Sequence, residues 1–198
     1  MRIKLFLVAL LATMAVSATK PLDVSRIEVE VKGGTNIPFK AIHYGSKAGL
    51  TLGVDARYNL KDMPFDVGVS FLANWAQGEG LTEFVDVDEI IYTIYACRHR
   101  TLAGLITGGY NLRRGYKVNP YAGIGIGIGG TSIWKDSLLP NAVKAVFVPK
   151  VGVELMYNFR LEVSALVTRN HFNSLNFTLG VVFGGRPKKV KALPDANN

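Results

Sequence analysis

The residues able to carry chemistry are few, and their spacing limits what they could do. The histidines are His43, His99 and His171. None stands in an HxxxH or HExxH arrangement, so a zinc site has no support. The run NHFNS at 170–174 sets His171 near Ser174, a base beside a hydroxyl, as in an acyl hydrolase. That chemistry also needs an acid to orient the base, and none is near in sequence; a polar loop tip is the expectation. GIGIGG at 125–130 matches the dinucleotide fingerprint by letter. The fingerprint requires a helix opening at the glycines, whereas here they continue a two-residue period. Cys97 is the one cysteine, which excludes an intrachain disulfide and CxxC chemistry. No catalytic, cofactor or metal site is assigned.

The remaining chemistry lies in charge placed at alternate positions. Glu28, Glu30, Lys32, Asp55, Arg57, Lys150, Glu154 and Glu162 each sit between apolar neighbours of an alternating segment. Such alternation is the signature of a strand with unlike faces. Eight segments carry it: 27–32, 50–58, 65–75, 101–111, 122–129, 148–157, 161–168 and 175–183. Most approach the ~9–11 residues a tilted membrane strand needs.

Ahead of them, residues 1–18 read as a cleaved secretory signal. Arg2 and Lys4 precede an apolar run, Leu5 to Val16, and Val16 and Ala18 are small residues at the −3 and −1 positions of a cleavage site before Thr19. Without Arg2 and Lys4 the formal charge of +8 falls to +6. A secreted chain with that balance points away from nucleic acid and toward lipid or lipopolysaccharide phosphates. The segment 184–198 is basic, contains proline and lacks apolar periodicity, as a disordered tail does.

Alternation alone leaves open which face is wet. Three features favour a membrane barrel, apolar face outward, over a soluble ligand-binding barrel. Connectors broadly alternate between long (33–49, 76–100, 130–146) and short (59–64, 112–120, 158–159), with the short last hairpin near 170–174 as the exception, as in an up-and-down barrel with long extracellular loops and tight periplasmic turns. Tyr58, Phe65, Tyr110, Tyr121, Tyr157, Phe159 and Phe183 fall at the periplasmic strand ends, suited to an interfacial girdle, with Trp75 and Trp134 at the opposite rim. The polar row mixes glycine with charge, as the narrow interior of a small barrel demands.

Three stretches, LNFTLGVVFGG at the final strand, NPYAGIGIGIGG and VGVELMYN, together resemble the OmpA-like, porin-family outer-membrane β-barrel domains over about 25–183. The resemblance implies insertion by the barrel-assembly machinery, with Phe183 as terminal aromatic signal.

The expected fold is therefore all-β: a transmembrane up-and-down antiparallel barrel of about eight strands over 19–183. The expected function is non-enzymatic: an integral outer-membrane protein with a structural, loop-mediated binding or limited permeation role. A lipid A deacylase-like enzyme and a soluble periplasmic barrel are the alternatives. The eight alternating charges are expected to point into the lumen and pair, Glu28 and Glu30 with Arg57, Lys150 with a neighbouring acid. Arg98 and Arg100, placed outward by the parity of Leu102, are candidate lipopolysaccharide contacts.

Overall fold

The computed structural model describes residues 24–40, 47–86, 89–134, 142–168 and 173–184. The signal segment 1–18 and the tail from 185 onward lie outside them. Eight strands follow in order: β1 (Ile27–Lys40), β2 (Lys47–Asn59), β3 (Phe65–Asp86), β4 (Glu89–Asn111), β5 (Val118–Trp134), β6 (Ala142–Leu155), β7 (Phe159–Thr168) and β8 (Asn173–Phe183). Each pairs antiparallel with the next, and β8 returns to β1, closing the barrel. Closure matters because an unpaired strand edge in hydrocarbon costs several kcal/mol per unsatisfied backbone group.

The period of two sorts side chains between lipid and lumen. Outward along β2 and β3 stand Leu50, Leu52, Val54, Tyr58, Phe65, Val67, Val69 and Phe71, all exposed. Ile106 on β4 is 74% exposed, a value that makes sense only against lipid. Inward on the same strands stand Thr51, Asp55, Arg57, Asn59, Asp66, Ser70 and Asn74, all buried. The apolar surface is thus outside and the polar core inside, the reverse of a soluble sandwich.

The two ends differ. Turns at one end are short: 60–64, 112–117 and 156–158. In the last, a three-residue loop between the paired Leu155 and Phe159, Asn158 N–H donates to Leu155 O at 3.2 Å. Met156 and Tyr157 both hold positive φ (53° and 67°), as a primed turn requires although neither is glycine. At the other end the strands run farther than alternation indicates. The expected loop 76–100 is largely strand: β3 and β4 pair continuously from Phe65↔Tyr110 to Asp86↔Glu89. The expected loop 33–49 likewise shortens, since β1 reaches Lys40 and β2 begins at Lys47. Beyond the bilayer neither face need be apolar, so strand persists there without the alternation that marks it in the membrane.

Glycine lets the barrel close around its filling. A Cβ at Gly180 would overlap the Glu30 carboxylate, and one at Gly152 would lie 2.6 Å from the Tyr121 hydroxyl. At these two positions the wall gives way so that a large lumenal side chain can lie flat against it.

Candidate functional site

The lumen is the most elaborate site in the molecule. Its centre is a tetrad drawn from four strands. Lys32 Nζ on β1 lies 2.9 Å from Asp55 Oδ2 on β2 and 3.0 Å from Glu162 Oε1 on β7. Lys150 Nζ on β6 lies 3.3 Å from Asp55 Oδ2 and 3.9 Å from Glu162 Oε2. Two further donors complete the acids: Ser70 Oγ reaches Asp55 Oδ1 at 2.5 Å, and the Tyr121 hydroxyl reaches Glu162 Oε2 at 3.1 Å. Each anion therefore faces two ammonium groups and a hydroxyl, which is what lets charge persist away from water.

Nearer the periplasmic end two arginines organise three glutamates. Arg57 Nη2 is 3.2 Å from Glu28 Oε2, and its Nη1 is 3.1 Å from Glu30 Oε2. Arg160 binds Glu154 Oε2 through Nε at 2.8 Å and Nη2 at 2.7 Å. It also approaches Glu30 at 3.8 Å and Glu28 at 3.9 Å. The Arg160 guanidinium lies 4.3 Å from the centre of the Tyr121 ring, a cation–π contact inside the barrel. Asn59 Nδ2 donates to Glu28 Oε1 at 2.7 Å. All eight charges singled out in the sequence are buried and belong to this network.

Toward the extracellular side the filling changes. One wall is apolar: Leu72, Ala103, Leu105, Val146, Val148 and Leu166 form one cluster. The facing wall is neutral and polar. Thr51 Oγ1 donates to Asn74 Oδ1 at 3.0 Å, and Asn74 Nδ2 donates to Asn176 Oδ1 and Ser174 Oγ, both at 3.0 Å. Between these walls and the tetrad lies a void of about 10 Å³ touching Lys32, Ser70, Thr107, Lys150 and Glu162. That is room for about one water.

Over residues 6–184 the chain matches the family described as outer membrane protein beta-barrel domain. The chain belongs to that family. It is an outer-membrane barrel, and its apolar exterior is the lipid-facing surface.

Among solved structures, this outer-membrane barrel is similar to Neisserial surface protein A. The match has a TM-score of 0.53 at 14% identity, and covers 80% of this chain and 97% of that one. The N-terminal β-barrel domain of Pseudomonas aeruginosa OprF gives 0.49 at 14% identity, over 82% of this chain and 99% of that one. Ail, the attachment invasion locus protein of Yersinia pestis, gives 0.48 at 12%, over 82% and 100%. The likeness to the neisserial protein is one of fold. No curated protein matches the chain by sequence.

Several placements differ from the sequence reading of the barrel. Tyr121 is not a girdle residue. It is 3% exposed and points into the lumen, where it shares the inward parity of Gly123 and Gly125. Parity outranks aromatic character here, because a reversed Tyr121 would have flipped the whole of β5. Leu72 shares the inward parity of Ser70 and Asn74 on β3 and belongs to the lumenal apolar wall. Ser174 is no loop tip: it is buried on β8 among Asn74 and Asn176, and His171 lies outside the described residues. Arg160 was missed, although it stands two residues before Glu162 and so on the same face. Arg100 is exposed, opposite Trp75. For Arg98 only the backbone register is described, opposite Gln77 and Trp134. Among the described residues no cluster of three His, Cys, Asp or Glu is placed to hold a metal ion.

Proposed function

We propose that this outer-membrane barrel is a closed, non-enzymatic membrane anchor that presents a binding ribbon outside the cell. The observation that carries the reading is the β3–β4 hairpin. Its last rungs shared with neighbouring strands are Gln77, opposite Lys47, and Arg98, opposite Trp134. Nine further pairs, Gly78↔Cys97 to Asp86↔Glu89, continue with no third strand among the described residues. At ~3.3 Å per residue that ribbon extends about 30 Å past the rim. Its paired residues include Phe84, Ile90, Ile91, Tyr92, Ile94 and Tyr95, with Glu79, Glu83, Asp86 and Glu89 and no basic residue. An isolated two-stranded ribbon is marginal in water, so one this long and this apolar suits contact with a partner. Arg98 and Arg100, at its foot, suit the phosphates of lipopolysaccharide, to which the planar guanidinium fork can donate two parallel hydrogen bonds.

The filled lumen supports the closed state. Small barrels enclose just enough room for side chains, whereas aqueous channels need ~16–18 strands. The paired charges and the single-water void among the described residues support that state. At the seam, the alternation of β8 ending on Phe183 suits recognition by the barrel-assembly machinery during insertion.

Two measurements test the reading. Planar-bilayer recording of the refolded protein should show no stable nanosiemens openings; such openings would overturn closure. Purified lipopolysaccharide titrated in detergent should bind the Arg98→Ala/Arg100→Ala variant at least tenfold more weakly. Unchanged affinity and unchanged salt dependence would remove lipopolysaccharide as the ligand of the foot.

A further inference from the structure

The periplasmic end of the barrel is a braced floor rather than a set of independent turns. Arg114, 5% exposed, donates from Nη1 to Leu60 O at 2.8 Å and from Nη2 to Phe65 O, tying the β4–β5 turn to the β2–β3 turn. Asn111 N–H donates to Pro64 O at 2.7 Å across the same junction. Met156 N–H donates to Lys117 O at 2.7 Å, tying in the β6–β7 turn, and Asn59 N–H donates to Arg26 O at 2.7 Å, tying in the entry to β1. The backbone of the whole floor is therefore held in one arrangement.

That floor presents cations. Arg26, Lys61, Arg113 and Lys117 are exposed on it, and Asp62 is the one exposed acid there among the described residues. In the sequence, the segments 19–23 and 185–198, outside the described residues, hold five basic residues and two acids. Among the described residues the exposed charges of this floor sum to +3. Its height in the membrane is set by aromatics: Tyr58, Phe65, Phe159 and Phe183 are exposed on the outer wall at the same strand ends, and Phe65 meets Tyr110 edge-on with ring centres 5.2 Å apart. Exposed aromatics of this kind mark the headgroup level. Lys61 and Arg113 each follow an aromatic, Tyr58 and Tyr110, by three residues, and their long stems can turn sideways to keep the charge at that level.

We propose that this floor binds the phosphates of anionic phospholipids in the inner leaflet of the outer membrane. The cations stand at the strand ends that the aromatics mark, at the entry to β1 and on the β2–β3 and β4–β5 turns, which favours lipid over a polymer deeper in the periplasm. A basic residue near an anionic membrane surface contributes about fivefold to binding, so the net of three charges that the four cations leave after Asp62 should confer a preference of about two orders of magnitude over zwitterionic lipid. Ion attraction at such an exposed surface is screened by salt.

The experiment uses the full chain refolded in neutral detergent, with phosphatidylglycerol and phosphatidylcholine of identical acyl chains titrated separately and occupancy read by native mass spectrometry. Wild type should prefer phosphatidylglycerol by about a hundredfold at low salt and far less at 0.5 M. The Arg26→Gln/Lys61→Gln/Arg113→Gln/Lys117→Gln variant, its fold checked by heat-modifiable gel mobility, should lose most of that preference. A chain truncated after Gly184 should keep most of it. Equal binding of the two lipids by wild type would overturn the proposal. So would a preference that survives the four substitutions and vanishes on truncation, or salt-sensitive binding of soluble acidic murein peptides without discrimination between the lipids. A quadruple variant that fails to fold is replaced by the two pairs Arg26→Gln/Lys61→Gln and Arg113→Gln/Lys117→Gln, each of which should weaken the preference by about an order of magnitude.

Discussion

The charged and neutral regions of the lumen fill the same barrel by opposite means. Around Asp55 and Arg57, volume is occupied by ions that require one another. A step farther toward the outside it is occupied by Leu72, Leu105, Val146 and Leu166 on one side and by neutral amides and hydroxyls on the other. The difference lies in tolerance. An apolar wall loses contacts gradually when trimmed, whereas an ion pair deprived of one member leaves a buried charge with nothing to offset it.

The largest effect is therefore expected at the tetrad. Asp55→Asn keeps the shape but leaves Lys32 and Lys150 sharing Glu162 alone, and should cost about 3–5 kcal/mol, measured by urea unfolding in micelles. A loss below 1 kcal/mol would mean that water already screens the tetrad. Next comes the exterior: Val69→Arg, facing lipid, should cost about 2–4 kcal/mol near the midplane and lower membrane yield far more than Ser70→Arg. Equal yields would reverse inside and outside. Leu166→Ala, in the apolar wall, should cost about 2–3 kcal/mol, and less if water enters from the extracellular mouth. Asn74→Ala, in the amide cluster, should cost about 1–2 kcal/mol by leaving Asn176 and Ser174 short of a donor. Smallest of all should be the joint replacement Lys32→Met/Asp55→Leu/Lys150→Met/Glu162→Leu. Removing all four charges together leaves none unpaired, so its stability should fall within about 1 kcal/mol of wild type. A far larger loss would show that the ions themselves hold the barrel, beyond merely satisfying one another.

Much of this was legible in the sequence because the period of two acts on every membrane strand alike. One inward residue per strand fixes the rest, which is why Glu28, Asp55, Lys150 and Glu162 could be placed together without knowing the register. Pairing required more. Lys150 reaches Asp55 across the lumen from β6 to β2, a contact set by barrel diameter and tilt, neither of which is written in local pattern. At Tyr121 two rules, girdle and parity, disagree, and only the fold shows that parity prevails. The ribbon from Gly78 to Cys97 lacks the signal because strands clear of the membrane are under no pressure to alternate. The braced floor had no signal at all: Arg114 differs from its neighbour Arg113 only in which carbonyls it finds.

The seam between β1 and β8 sets Val29 opposite Phe183 and Ile37 opposite Leu175, joining the two ends of the folded chain. Such a contact demands the longest loop closure the chain can make, and long-range pairings of this kind are slow to form. Until that seam closes, two strand edges face hydrocarbon with their backbone groups unmatched. Partial barrels are therefore poor resting points in lipid. Assembly becomes a single late commitment, timed by the arrival of the eighth strand.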